Sequence, residues 1–132
     1  MGGFTEERWK AGVAAQEEIA DFVEAKWSVK RTAEKNNIWD FWSPETVIEL
    51  KSRRDILPDK YDTWVFDEKK IVNCSKDVRR SVLLYYFPAD RSLFYINYEP
   101  VLFADFKRER NWPEHTNNIL IPRTSWTKID WT

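Results

Sequence analysis

The stretch that most constrains this chain runs from Trp39 to Arg54. Trp39-Asp40-Phe41-Trp42 leads into a turn at Ser43-Pro44-Glu45, then Thr46-Val47-Ile48-Glu49-Leu50-Lys51-Ser52-Arg53-Arg54. Two branched or aromatic runs around a proline turn predict a β-hairpin, residues 38–41 against 46–51. Residues i and i+2 of a strand share a face, so Glu49 and Lys51 project together. Ile48 and Leu50 turn to the opposite, buried face. Asp40 closes the first strand as a third polar group on an otherwise apolar ribbon. Such groups are costly to bury unpaired. Together they suit the holding of a divalent cation beside a phosphate.

Around this hairpin the expected order is helix, three strands, helix, then strands. Residues 5–26 read as a helix, with Thr5 as its cap and Glu6 and Glu7 at its positive end. Val13, Ile19, Phe22, Val23 and Trp27 recur along it at helical spacing. Gly12 is the one poor helix former in that run, and it suggests close packing against a sheet. Residues 27–32 are a short strand candidate. Residues 65–78 read as a second helix, burying Phe66, Ile71 and either Cys74 or Val78. Residues 81–87 and 92–98 are strongly β. Residues 101–106 form a further apolar, strand-like run, and 119–122 one short strand or turn. The fold class predicted is α/β, one domain over 1–132, with a central mixed sheet of about five strands flanked by helices.

Composition removes several chemistries. With one cysteine (Cys74) and one histidine (His115), zinc sites and Cys-His or Ser-His-Asp catalysis have almost nothing to work with. Carboxylates remain, and they favour hard cations such as Mg²⁺ or Mn²⁺. Cys74 reads as core and His115 as a surface residue. A lone cysteine without a signal-peptide pattern suits a cytoplasmic protein, and no apolar run is long enough to span a membrane. The net charge of −1 gives no global basic signal for nucleic acid, so any such contact must be local. The local basic pairs are Arg53-Arg54, Lys69-Lys70, Arg79-Arg80 and Lys107-Arg108. Eight tryptophans read mainly as core, with base stacking on exposed rings as the sharper alternative. Trp42 is the first candidate for such a platform.

A helix, a strand, a hairpin carrying Asp40 and then Glu49-Leu50-Lys51, and a following helix resemble the core of the PD-(D/E)xK nuclease superfamily. Residues 12–54 are most similar to small Holliday-junction resolvases and stand-alone phage nucleases. The resemblance implies a restriction-endonuclease-like αβββαβ core, with Asp40 and Glu49 as metal ligands and Asp40, Glu49 and Lys51 as the catalytic set. It also implies one polar group from the first helix, for which Gln16, Glu17 and Glu18 compete. Tyr61 and the Lys69-Lys70 pair are similar to a tyrosine and a helix lysine of phage members. If the chain is phage-encoded, the compartment is the host cytoplasm.

On that reading, Asp40 and Glu49, aided by the Leu50 carbonyl, hold Mg²⁺ for hydrolysis of DNA phosphodiester bonds, branched or junction DNA included. Lys51, kept protonated by its carboxylate neighbours, positions water or stabilises charge on the phosphate. Arg53, Arg54, Lys69 and Lys70 contact flanking phosphates. A symmetric homodimer could use residues 101–106 as its interface. Acid-x-Lys recurs in this chain, and Asp105-Phe106-Lys107 is the rival site. The plainer readings make Asp40 a turn cap, Glu49–Lys51 an exposed ion pair and Arg53-Arg54 a solvated loop. Two other classes stay open: an inactive nucleic-acid-binding module of the same fold, and a structural or assembly protein with an aromatic interface.

Overall fold

A computed structural model describes residues 6–33, 37–111 and 116–132. Helix α1 (Glu6–Trp27) carries Glu6 and Glu7 in its first turn and Lys26 in its last, complementing the helix dipole at both ends. Ala15, Ile19 and Val23, four apart, are its buried stripe. Ser28, left-handed at φ 54, ends the helix, and the Val29 N–H bonds back to the Glu24 carbonyl in a Schellman-type stop. This termination shortens the strand expected at 27–32 to β1 (Lys30–Arg31). Gly12 faces open space, not a sheet. The expected cap, Thr5, lies outside the described residues, as does His115.

The hairpin forms as β2 (Phe41–Trp42) and β3 (Thr46–Ser52). Beyond it come β4 (Thr63–Asp67), α2 (Glu68–Lys76), β5 (Arg80–Phe87), β6 (Ser92–Asn97) and α3 (Pro100–Ala104). The chain closes with β7 (Lys107–Asn111), β8 (Thr116–Pro122) and β9 (Thr127–Ile129). The molecule is α/β. Its mixed sheet has six strands, in the order β1-β2-β3-β5-β6-β9, and β4-β8-β7 form a second sheet. Within the larger sheet only β3 and β5 pair in parallel.

The sheet expected to have about five strands therefore has six, and a strand precedes the second helix. Residues 65–78 divide at Asp67. Trp64 and Phe66 point inward with the period of a strand, whereas Ile71 and Cys74 are buried on a helix. Asp67 marks the change by accepting the Lys69 N–H at 2.9 Å as the cap of α2. Cys74, not Val78, completes the stripe, and Val78 is fully exposed. The run at 101–106 holds the short helix α3 in place of a strand, started by Pro100 at a position where its missing N–H costs nothing.

β5 is buried along nearly its whole length because both faces of the large sheet are covered. Val82, Leu84 and Tyr86 pack with α1 and with Phe41 and Ile48. Leu83, Tyr85 and Phe87 pack with Trp64, Phe66, Ile119 and Ile121 of the second sheet and with Ile71 of α2. Trp64 is the hub of that layer, its ring 4.7–5.5 Å from those of Phe94, Phe87, Tyr85 and Trp126. Trp39, Trp64 and Trp126 are core, as the plainer reading of the tryptophans has it, while Trp42 is 41% exposed. No helix among the described residues is long and apolar enough to cross a membrane.

Candidate active site

The hairpin turn is closed by Ser43, not by Asp40. The Ser43 Oγ accepts the N–H groups of Glu45 at 3.2 Å and Thr46 at 2.9 Å, and its own N–H donates to the Thr46 carbonyl at 2.7 Å. Asp40 lies one residue before β2. Its N–H donates to the Ile48 carbonyl at 3.0 Å and its carbonyl accepts the Thr32 N–H at 2.9 Å. The β2–β3 pairing ends at Phe41–Ile48, so Asp40 lies just beyond its last rung, and Glu49 follows Ile48 along β3. The two acids thus flank the last rung of one ribbon, near enough for the Asp40 charge to act on Glu49.

The Asp40 carboxylate is held on both sides. Oδ2 accepts the Leu50 N–H at 2.8 Å and Oδ1 accepts the Gln16 side-chain amide at 3.0 Å. The Gln16 oxygen in turn accepts Arg31 Nε at 3.0 Å, and these two bonds fix which way the amide points. Of the three α1 candidates the structure therefore brings Gln16 to Asp40. Glu17 is exposed and 3.8 Å from Arg31, and Glu18 pairs with Arg91 at 2.9 Å. The first helix contributes an amide, not a third acid.

Glu49 is 6% exposed. Lys70, in the first turn of α2, reaches its Oε1 at 2.9 Å, while Oε2 is buried with no hydrogen-bond partner. Burial pushes the Glu49 carboxyl up to about 8, Asp40 pushes the same way, and Lys70 opposes both. Burial also raises Asp40, against the Leu50 N–H, Lys70, Gln16 and Arg31. Burial alone would lower the Lys70 ammonium, but Glu49, through its charge and hydrogen bond, with Asp40 and Asp67, raises it overall.

Lys51 shares a face with Glu49, and Ile48 and Leu50 pack on the other. Its charged surroundings are different, however. Burial and Arg53 hold the Lys51 ammonium below its usual range, with Asp67 opposing them. The carboxylate that favours the Lys51 proton is thus Asp67 and not Glu49, and the ammonium beside Glu49 belongs to Lys70. Arg53 lines a cavity of about 340 Å³ with Tyr61, Trp64 and Tyr85. Arg54 is exposed and 3.8 Å from Asp55, a pairing of little energy. Lys69 is exposed on α2. The rival Asp105 ends α3 and Lys107 begins β7, both exposed, with no buried acid opposite them in the strand register.

Among the described residues no three His, Cys, Asp or Glu side chains group as a ready-made metal cage. The Asp40–Glu49 pair nonetheless fits a hard cation of the Mg²⁺ kind, which is held by one or two carboxylates and keeps several waters. The buried, unpartnered Glu49 Oε2 is the atom that fits it best. Sequence reasoning missed Arg31 and the partnership of Lys70 with Glu49, because both arise from contacts between distant segments. Comparison of the chain with models of known protein families and with curated proteins gives no match.

Proposed function

We propose that this chain is a Mg²⁺-dependent (or Mn²⁺-dependent) endonuclease that hydrolyses DNA phosphodiester bonds, a single nuclease-like domain of restriction-endonuclease-like, PD-(D/E)xK type. The observation that carries this reading is the pairing of buried Glu49, one of whose oxygens has no partner, with half-buried Asp40. Two acids are kept close in a desolvated place although that opposes folding, and perturbed acids of this kind concentrate at functional sites. Asp40 and Glu49 would hold the cation. When bound, it polarises the phosphoryl oxygen and lowers the pKa of a water.

The chain's own groups do the rest. The Leu50 N–H and the Gln16 amide aim the Asp40 carboxylate. Lys51, on the same face and readier than most lysines to lose its proton, positions water or meets charge on the phosphate. Arg53, Arg54 and Lys69 offer sequence-independent contacts to flanking phosphates, and exposed Trp42 offers a face for an unstacked base.

The test is incubation with supercoiled, branched and single-stranded DNA in Mg²⁺, Mn²⁺ or EDTA. Cleavage lost in EDTA and in both Asp40→Ala and Glu49→Ala supports the reading. One observation favours a second reading, an inactive DNA-binding module of this fold. Gln16 stands where an acid would add a third ligand. Salt-sensitive DNA binding without cleavage in any metal decides for that module.

A further inference from the structure

Glu49 is served unequally. Lys70 lies 2.9 Å from Oε1, and Oε2 is buried and bare. Its neighbour Asp40 has both oxygens occupied by neutral donors, the Leu50 N–H and the Gln16 amide. Lys70 is thus the ammonium in direct contact with the acid pair. Its side chain is 41% exposed, whereas that of Glu49 is 8% exposed. The lysine side chain therefore reaches solvent, and its flexible stem can carry the ammonium off Glu49. The backbone beneath it stays in place, since Ile71 and Cys74 are buried and Asp67 caps the helix.

A divalent cation held by Asp40 and Glu49 would share the Glu49 carboxylate with this ammonium. Like charges held together in a partly desolvated place repel strongly. The two cations compete for the same carboxylate.

We infer that Lys70 is the resident counter-ion of the site: its ammonium holds Glu49 until a divalent cation displaces it, and once swung outward it meets the incoming phosphate. This rests on the metal-dependent reading above and makes Lys70 a positioning residue for the phosphate alongside Lys51. The side chain that balances the charge of Glu49 becomes a substrate contact only after the metal has bound.

The experiment labels the unmodified protein with an amine-acylating N-hydroxysuccinimide ester, with and without saturating Mg²⁺, at one pH above the range where Glu49 titrates. Mass spectrometry reads Lys70 against its exposed neighbour Lys69, and calorimetry measures Mg²⁺ binding by the wild type and by Lys70→Gln. Mg²⁺ is expected to raise Lys70 labelling about tenfold relative to Lys69, and K70Q is expected to bind Mg²⁺ about tenfold more tightly. Mg²⁺ binding with unchanged Lys70 labelling overturns the inference, as does weaker Mg²⁺ binding by K70Q. If K70Q does not fold, the labelling of the wild type decides alone. Absence of Mg²⁺ binding overturns both the inference and the metal-dependent reading. A protein that releases Lys70 on Mg²⁺ but leaves every DNA intact retains the inference and loses the nuclease reading.

Discussion

Asp40 and Glu49 each adjoin the Phe41–Ile48 rung that ends the β2–β3 pairing, close enough that the charge of Asp40 acts on Glu49. Like charges side by side on a strand pair weaken it, and desolvation of the two acids adds to the opposition. The hairpin holds because its neighbours are apolar and fully buried: Phe41, Val47 and Ile48 are each 0% exposed.

That opposition gives stability a pH dependence. Burial raises Glu49 from an ordinary 4.5 to about 8, so across that window the folded protein keeps a proton that the unfolded chain has lost. Stability should therefore fall as pH rises from about 4.5 to about 8, by about 1.4 kcal/mol per pH unit at most, and level off above. Denaturant titrations at several pH values measure this. Glu49→Gln should flatten the slope, and an unchanged slope in E49Q would reject the assignment to Glu49.

Gln16 gives a second handle. Gln16→Glu replaces the donor to Asp40 Oδ1 with a third carboxylate. Without metal the variant should lose about 1–3 kcal/mol of stability. With Mg²⁺ it should recover that loss and bind the ion about tenfold more tightly, one added charge-assisted contact being enough. Thermal melts with Mg²⁺ or EDTA, together with calorimetry, check both halves.

Lys51 stands apart from the Glu49–Lys70 pair, in the field of Arg53 and Asp67. Lys51→Ala should therefore reduce single-turnover DNA cleavage about a hundredfold and leave Mg²⁺ affinity within about twofold. Loss of metal binding in K51A, with retention in Asp40→Ala, would reverse the two roles.

The tryptophans should divide by burial. Trp64 is 3% exposed and touches four aromatic rings, so Trp64→Ala should cost about 3–5 kcal/mol in denaturant unfolding. Trp42→Ala, at an exposed position, should change stability by about 0.5 kcal/mol or less. It should weaken single-stranded DNA binding by about 1–3 kcal/mol, the contribution of one stacked base, as read by fluorescence titration.

The local parts of this architecture were legible in the residues. The two-residue period of 46–51 gave β3 and the common face of Glu49 and Lys51, and the aromatic runs gave β5 and β6. Boundaries failed where two periods adjoin, as at Asp67, where Phe66 closes a strand and Ile71 opens the buried side of a helix. β7 was hidden for another reason. Its sequence Lys-Arg-Glu-Arg-Asn carries the charges of an edge strand and no apolar alternation. Asp40 and Glu49 could be paired from sequence because one tight turn joins them. Lys70 could not be matched to Glu49, since only the packing of α2 brings them into contact.

The parallel pairing of β3 with β5 obliges the chain to leave one end of the sheet and re-enter at the other, and α2 is carried on that return path. A ribbon that has closed only its local hairpin would hold both carboxyls without the Lys70 ammonium that contacts Glu49. The complete charge set is thus a property of the finished topology alone, which ties competence to the slowest, most distant contacts the chain must make.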